Sequence, residues 1–319
     1  MIPNVSNRTS HLCKVIAILA LVVAACTAGG APDAPDYRGQ TVFDTPEAAG
    51  ERLAAAVNSG NRADLEALFG TDAEQTLSNG DPVADRRSRE VVAVAMNERW
   101  TLEAKNATTR ELVIGNEGWP FPIPLVKDER GWWFDTAAGK EEIRVRRIGR
   151  NELATIRTLR TYAVAQREYA ETGRDGKPAG IFAQQLRSDP GKRNGLYWSV
   201  TDAKEPRSPL GEFVAAATAE GYGADYKEGA APYHGYYYRV LKSQGPAAPG
   251  GAKDYVVNGE MTGGFAMLAY PAEYGSSGVM SFLVGPDGTV HESDLGDDTA
   301  TVAKQITSYD PGEGWRNSD

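Results

Sequence analysis

Both cysteines of this chain, Cys13 and Cys26, fall within its first 26 residues. From Thr27 onward no intramolecular disulfide, thiolate metal site or cysteine nucleophile can form. Whatever folds downstream therefore has to be held by a hydrophobic core. The material for one is present: 41% of residues are apolar and 24% charged, the proportions of a globular protein. At 319 residues the chain is long enough for two ordinary domains.

The N-terminus reads as a processing signal. Arg8 and Lys14 form a positive flank before the apolar run from Val15 to Val23. That run is too short for a permanent membrane-spanning helix and suits the apolar stretch of a signal peptide. It ends in Val23-Ala24-Ala25-Cys26, which resembles the lipobox of bacterial lipoproteins. The resemblance implies a signal peptide over residues 1–25 and a lipid on Cys26. By the same family rule, Thr27 rather than Asp after the cysteine implies the outer membrane. The plainer alternative is an ordinary cleaved signal that releases the protein to the periplasm. Residues 26–40, rich in Ala, Gly, Pro and Asp, read as a flexible tether. No other stretch is apolar and long enough to span a membrane. Loss of Arg8 and Lys14 with no acid would leave 32 basic against 43 acidic groups, shifting the net charge from −9 to −11. Such a chain is repelled by nucleic acid.

Residues 41–148 open with helices. Asp44-Thr45-Pro46-Glu47 is a start signal, with Asp44 as the capping side chain and Asn58-Ser59-Gly60 as the stop. Asn61 caps a second helix carrying Leu65, Leu68 and Phe69. A third is expected from about Asp85 to Glu98, with Val91, Val94 and Ala95 packed. Strands follow. Glu111–Ile114 is one; Trp119–Leu125 alternates Pro with large apolar residues and reads as an edge strand or an extended segment. Lys127–Gly131 turns into Trp132-Trp133-Phe134-Asp135. This order is similar to the cystatin/NTF2-like α+β cone, which implies a pocket. Some such cones are enzymes using buried Asp and His, but this segment has no His, and a carrier of a small apolar ligand is the alternative for it. Trp119, Phe121, Trp132, Trp133 and Phe134 would line the pocket, although aromatic residues at strand spacing more often form plain core.

Residues 149–319 open with a helix capped by Asn151 and running to about Thr172, with Leu153, Ile156, Ala163 and Ala170 on the packed face. Strands are expected at 235–241, 264–271 and 278–284, the last turning through Gly285-Pro286-Asp287-Gly288 into 289–292. A small-residue helix before such a meander is similar to the globular part of type IV pilin-like and pseudopilin proteins. The apolar N-terminal pilin helix is missing, so filament assembly does not carry over. The expected class is thus α+β in two domains, a cone followed by a pilin-like helix on an antiparallel sheet.

Pro232–Arg239, Tyr270–Gly275 with Gly278–Phe282, and Asp294-Leu295-Gly296 resemble the DUF2950 family of exported Gram-negative proteins, named for having no assigned function. That resemblance implies relatives but no activity.

Candidate chemistry is sparse. Tyr233, His234, Tyr236, Tyr238 and Arg239, with Glu273, form a binding candidate in which rings stack on a sugar or peptidoglycan fragment. The bland reading is a half-exposed strand. His234, Arg239 and Glu273 would be the working groups of a cell-wall hydrolase if they converged. Asp294, Asp297 and Asp298 offer oxygens for Ca²⁺, but Asp297-Asp298-Thr299 equally starts a helix through Ile306. Ser276-Ser277 between glycines lacks the strand-to-helix setting of a nucleophile elbow and reads as a turn. The functional expectation is an envelope lipoprotein without catalysis or cofactor, binding other envelope proteins of a secretion or pilus-like apparatus.

Overall fold

A computed structural model describes residues 39–318, apart from 71–72, 74–77, 79–80, 201, 203 and 223–230. The segment expected to be a signal peptide, Cys13 and Cys26 lie outside the described residues. Among the described residues no helix is long and apolar enough to cross a membrane.

Local chemistry starts each helix. In α1 (Pro46–Ser59) the cap is Thr45, whose Oγ1 accepts from Ala48 N at 3.2 Å, and not the expected Asp44. Gly60 ends α1 in the left-handed region. Asn61 caps α2 (Arg62–Phe69) as expected. The next helix, α3 (Pro82–Glu98), begins earlier than about Asp85, because Asp81 caps it with Pro82 in the first position. Its expected packed residues Val91 and Val94 face outward, while Ala95 and Met96 are buried.

An antiparallel sheet follows, with β1 (Trp100–Ala104), β2 (Thr109–Ile114), β4 (Leu125–Asp128) and β5 (Gly131–Phe134) side by side. The Pro-rich stretch supplies only a two-residue edge, β3 (Trp119–Pro120), on β2, as expected where proline cannot donate to a ladder. The first core lies between this sheet and α1 to α3. Phe69, Phe121 and Phe134 meet there with ring centroids 5.3–6.3 Å apart, while Trp119 is exposed.

The element that organises everything else is α4, a single 36-residue helix from Thr136 to Glu171. The helix expected to begin at Asn151 therefore starts fifteen residues earlier, and the boundary placed between residues 148 and 149 falls inside it. Asp135 Oδ1 caps it by accepting from Ala138 N at 3.0 Å. Its charged first half is helical because ion pairs at helical spacing line it: Glu141 with Arg144 and Glu142 with Arg146, both at 2.6 Å. Asn151 is not a cap but a buried interior residue. Leu153, expected in the packed face, points outward, 58% exposed.

Beyond α4 come the short α5 (Gly211–Glu220) and a second antiparallel sheet. Its order is β14-β13-β12-β11-β6, built from β6 (Tyr236–Leu241), β11 (Ala266–Pro271), β12 (Met280–Val284), β13 (Val290–Asp294) and β14 (Arg316–Asn317). Two-residue strands β7 (Ser243–Gln244), β8 (Lys253–Asp254), β9 (Val256–Val257) and β10 (Glu260–Met261) decorate the long β6–β11 connection. The expected hairpin is present, with Val284 opposite Val290. On one face of this sheet α4 buries Leu159, Tyr162 and Ala163; on the other sits α6 (Thr299–Gln305).

Candidate functional site

Three of the polar residues buried on α4 lie four apart: Arg147, Asn151 and Thr155. That spacing puts them on one helix face, and each meets a polar partner. Asn151 Nδ2 donates to Ser277 O at 2.8 Å. Thr155 Oγ1 and the Tyr238 hydroxyl are 3.2 Å apart. Arg147, whose guanidinium pKa is drawn down by burial, lies in the field of Asp85 and Glu273, which hold it up.

Against this stripe sits a tight hairpin turn. His234 and Gly235 both have positive φ, 49° and 73°, and Tyr233 and Tyr236 exchange backbone hydrogen bonds of 2.9 and 3.2 Å across them. Two consecutive left-handed residues match the right-handed twist of the flanking chain. Gly235 is demanded twice over, since a Cβ there would meet Asn151 Nδ2 at 2.5 Å. The turn holds the His234 ring against the rings of Tyr233 and Tyr222, at centroid distances of 4.3 and 5.4 Å.

Asp81 closes the group from α3. Its Oδ1 accepts from Val83 N and Ala84 N, both at 3.1 Å, while Oδ2 accepts from the Tyr222 hydroxyl at 2.8 Å and Gly235 N at 3.4 Å. One carboxylate, 2% exposed, thus starts α3 and ties it to the hairpin.

The electrostatics follow from burial. The Tyr222 hydroxyl is pushed far above its ordinary value by burial first and by the Asp81 carboxylate second. Tyr233 is raised by burial and then by Glu220. Both rings stay neutral phenols. Burial lowers the His234 imidazole from its ordinary 6.5; Glu220 and Asp81 oppose this, and Arg157 and Arg87 add to it. His234 Nε2 lies 3.3 Å from Glu220 Oε2, yet that oxygen is buried without a hydrogen-bond partner. The contact is a close approach and not an aligned hydrogen bond.

The expected residues divide. Tyr233 and His234 belong to this cluster, and Glu273 reaches its edge through the field of Arg147. Tyr236 and Tyr238 are core residues, 0% and 3% exposed, and the Tyr236 hydroxyl donates to Met280 O at 2.9 Å. Arg239 points to the other face of the sheet, where it donates to Ala303 O and Ile306 O at the end of α6. His234, Arg239 and Glu273 therefore do not share one cleft. Ser277 is fully buried and exchanges hydrogen bonds with the Glu273 backbone, in the turn expected there.

Asp294 Oδ1 accepts from the Tyr274 hydroxyl and Gly296 N at 3.0 and 2.9 Å. Asp298 stands at the start of α6 without a side-chain cap. Among the described residues no three His, Cys, Asp or Glu side chains form a group able to hold a metal ion.

Sequence reasoning missed Asp81, Tyr222 and Glu220. The Asp81-Pro82 pair was a readable helix start; the approach of Tyr222 to Asp81, 141 residues away, had no local signal.

No curated protein and no solved structure matches the chain at a significant level. A family model described as a protein of unknown function, DUF2950, matches residues 40–318. The run from Tyr233 to Arg239, the Glu273 turn and the cap of α3 all lie inside that match, and the chain belongs to the DUF2950 family.

Proposed function

We propose that this chain is an exported envelope lipoprotein, tethered through Cys26, that works as a binding or assembly module without catalysis. In this reading residues 1–25 are a signal peptide and 26–40 a tether. The first α+β unit is cone-like. The long helix on its antiparallel sheet is a pilin-like module facing partners of a secretion or pilus-like apparatus.

The observation that carries the reading is the outer face of α4. Val145, Leu153 and Val164 are 45%, 58% and 58% exposed and lie within about 100° of arc at helical spacing. Exposed Arg160 and Arg167 fall on the same arc, and apolar side chains interleaved with arginine are the mixture that partner surfaces favour. The polar groups that a catalyst would use are engaged elsewhere: Asp81 in a cap and a tyrosine hydrogen bond, Arg239 at the end of α6. Envelope export also fits a chain whose only cysteines precede residue 27.

Metabolic labelling with a fatty acid tests the anchor. Label is expected on the wild type in the envelope fraction and absent from Cys26→Ser, which should move to the soluble periplasmic fraction. Equal labelling of both, or retention of both in the cytoplasm, would contradict the proposal.

A further inference from the structure

At the C-terminal end of α4 lies a solvent-open cavity of about 290 Å³, lined by none of the residues of the His234 cluster. Its wall is made by Tyr169, Arg174, Lys177, Gln184, Asn194 and Lys242, among others. The wall is fixed in place. Buried Gln166 holds the loop beyond α4 by both ends of its amide, donating to Ala183 O at 2.8 Å and accepting from Ala183 N at 2.9 Å. Phe182 N donates to Met261 O at 2.8 Å, and Gln184 Nε2 to Gly259 O at 2.8 Å.

The sequence Arg174-Asp175-Gly176-Lys177 then makes a two-residue turn. Asp175 and Gly176 have φ of 51° and 78°, and Lys177 N donates to Arg174 O at 2.9 Å. Such a turn sets its flanking residues side by side, here two cations at the cavity. They are not equivalent. Lys177 is paired with Glu260 at 3.3 Å, whereas Arg174 and Lys242 form no ion pair among the described residues.

Arg174 is the telling residue. Its guanidinium carbon lies 4.8 Å from the Tyr169 ring centre and 5.3 Å from that of Trp198. Its Nε is buried with no hydrogen-bond partner, and Nη2 makes one long bond of 3.4 Å to Glu168 O. A guanidinium braced by two rings is held ready in one orientation, partly stripped of water and short of acceptors. An acid that lines the same cavity, Asp175, is turned to Arg193 N at 2.8 Å. In a chain of net charge −9, two cations without acidic partners at one cavity form a local exception.

We propose that this cavity binds a small carboxylate-bearing molecule, its carboxylate held by Arg174 and Lys242 and its hydroxyl or amide N–H groups donating to the side-chain oxygens of Gln184 and Gln185, whose amide nitrogens are held by Gly259 O and Asn194 Oδ1. An acidic sugar and the carboxyl end of a short peptide share that chemistry. The site is independent of the outer face of α4 and of the lipid anchor.

Calorimetric titration of the full chain in detergent tests it, with N-acetylmuramate and N-acetyl-alanyl-alanine as probes. N-acetylglucosamine and N-acetyl-alanyl-alanine amide are their neutral counterparts. Binding by either acid with its neutral counterpart weaker by at least about tenfold supports the site, and the acid that binds identifies the source. Lys242→Gln, an exposed change, should weaken that binding about tenfold at an unchanged unfolding midpoint, and added salt should weaken it further. Arg174→Lys, which keeps the charge but loses the planar fork, should weaken it too. No binding by either acid, neutral counterparts that bind equally well, or a Lys242→Gln protein with undiminished affinity would overturn the proposal.

Discussion

At the scale of single residues, this molecule places its polar groups where they connect distant pieces of chain. Asp81 serves a helix start and a hairpin with one carboxylate. Glu152, from α4, accepts from Val279 N and Met280 N, both at 3.0 Å, and so holds the beginning of β12. His234 is the residue whose charge state such packing controls. An imidazole held below its ordinary 6.5 in the folded chain binds a proton more weakly there than when unfolded. Acid therefore favours unfolding: the stability tied to the neutral ring is complete above the unfolded value and is lost as pH falls from there towards the depressed folded value. The substitution His234→Asn suits the test, because Asn tolerates the left-handed backbone. Urea unfolding of wild type should show stability falling as the pH drops below the ordinary imidazole value of 6.5, and the variant should show a shallower fall. Parallel curves for the two proteins would show that His234 is not the group responsible.

At the scale of elements, α4 decides the architecture, and two of its glycines separate propensity from packing. Gly149 has nothing within 4 Å of where a Cβ would stand. Gly149→Ala should therefore gain roughly 0.5–1 kcal/mol, the ordinary advantage of Ala in a helix. Gly139 lies against Ile123, whose Cα would be 2.8 Å from the added atom. Since backbone cannot swing aside, Gly139→Ala should lose roughly 1–3 kcal/mol despite the same propensity. Chemical denaturation of both variants checks the signs; a stabilised Gly139→Ala would refute the packing described for α4 and Ile123.

Much at this scale was legible in the sequence. The stop of α1, the cap of α2, the edge role of the Pro-rich stretch and the hairpin at Gly285–Gly288 each rest on chemistry confined to a few neighbours. What escaped was α4's first half, because two glycines and a run of charge look like a linker until their helical ion pairs are seen. The packed face of α4 was legible in Ile156 and Ala163 and missed toward the middle of the helix. There Leu153 was expected inside, whereas it is exposed and a polar row, Arg147, Asn151 and Thr155, is buried. Polar residues become good packing only beside the partners that fold brings from more than eighty positions away. The candidate site was legible to the extent of Tyr233 and His234. The alternation of β6 sends Arg239 to the opposite face, and Asp81 and Tyr222 meet only in the folded chain.

At the scale of the whole molecule, two cores are strung on one helix that leaves apolar side chains on its outer face. The central claim is that this outer face meets another protein of the envelope. Pull-down from detergent-solubilised envelopes measures it directly, with wild-type chain and with the double variant Leu153→Glu, Val164→Glu. The account predicts a discrete envelope protein recovered by the wild type and reduced about tenfold with the variant, as expected for charge placed in an apolar interface. The variant should unfold at the same temperature as the wild type. Recovery of no envelope protein above background, or equal recovery by the two chains, would contradict it.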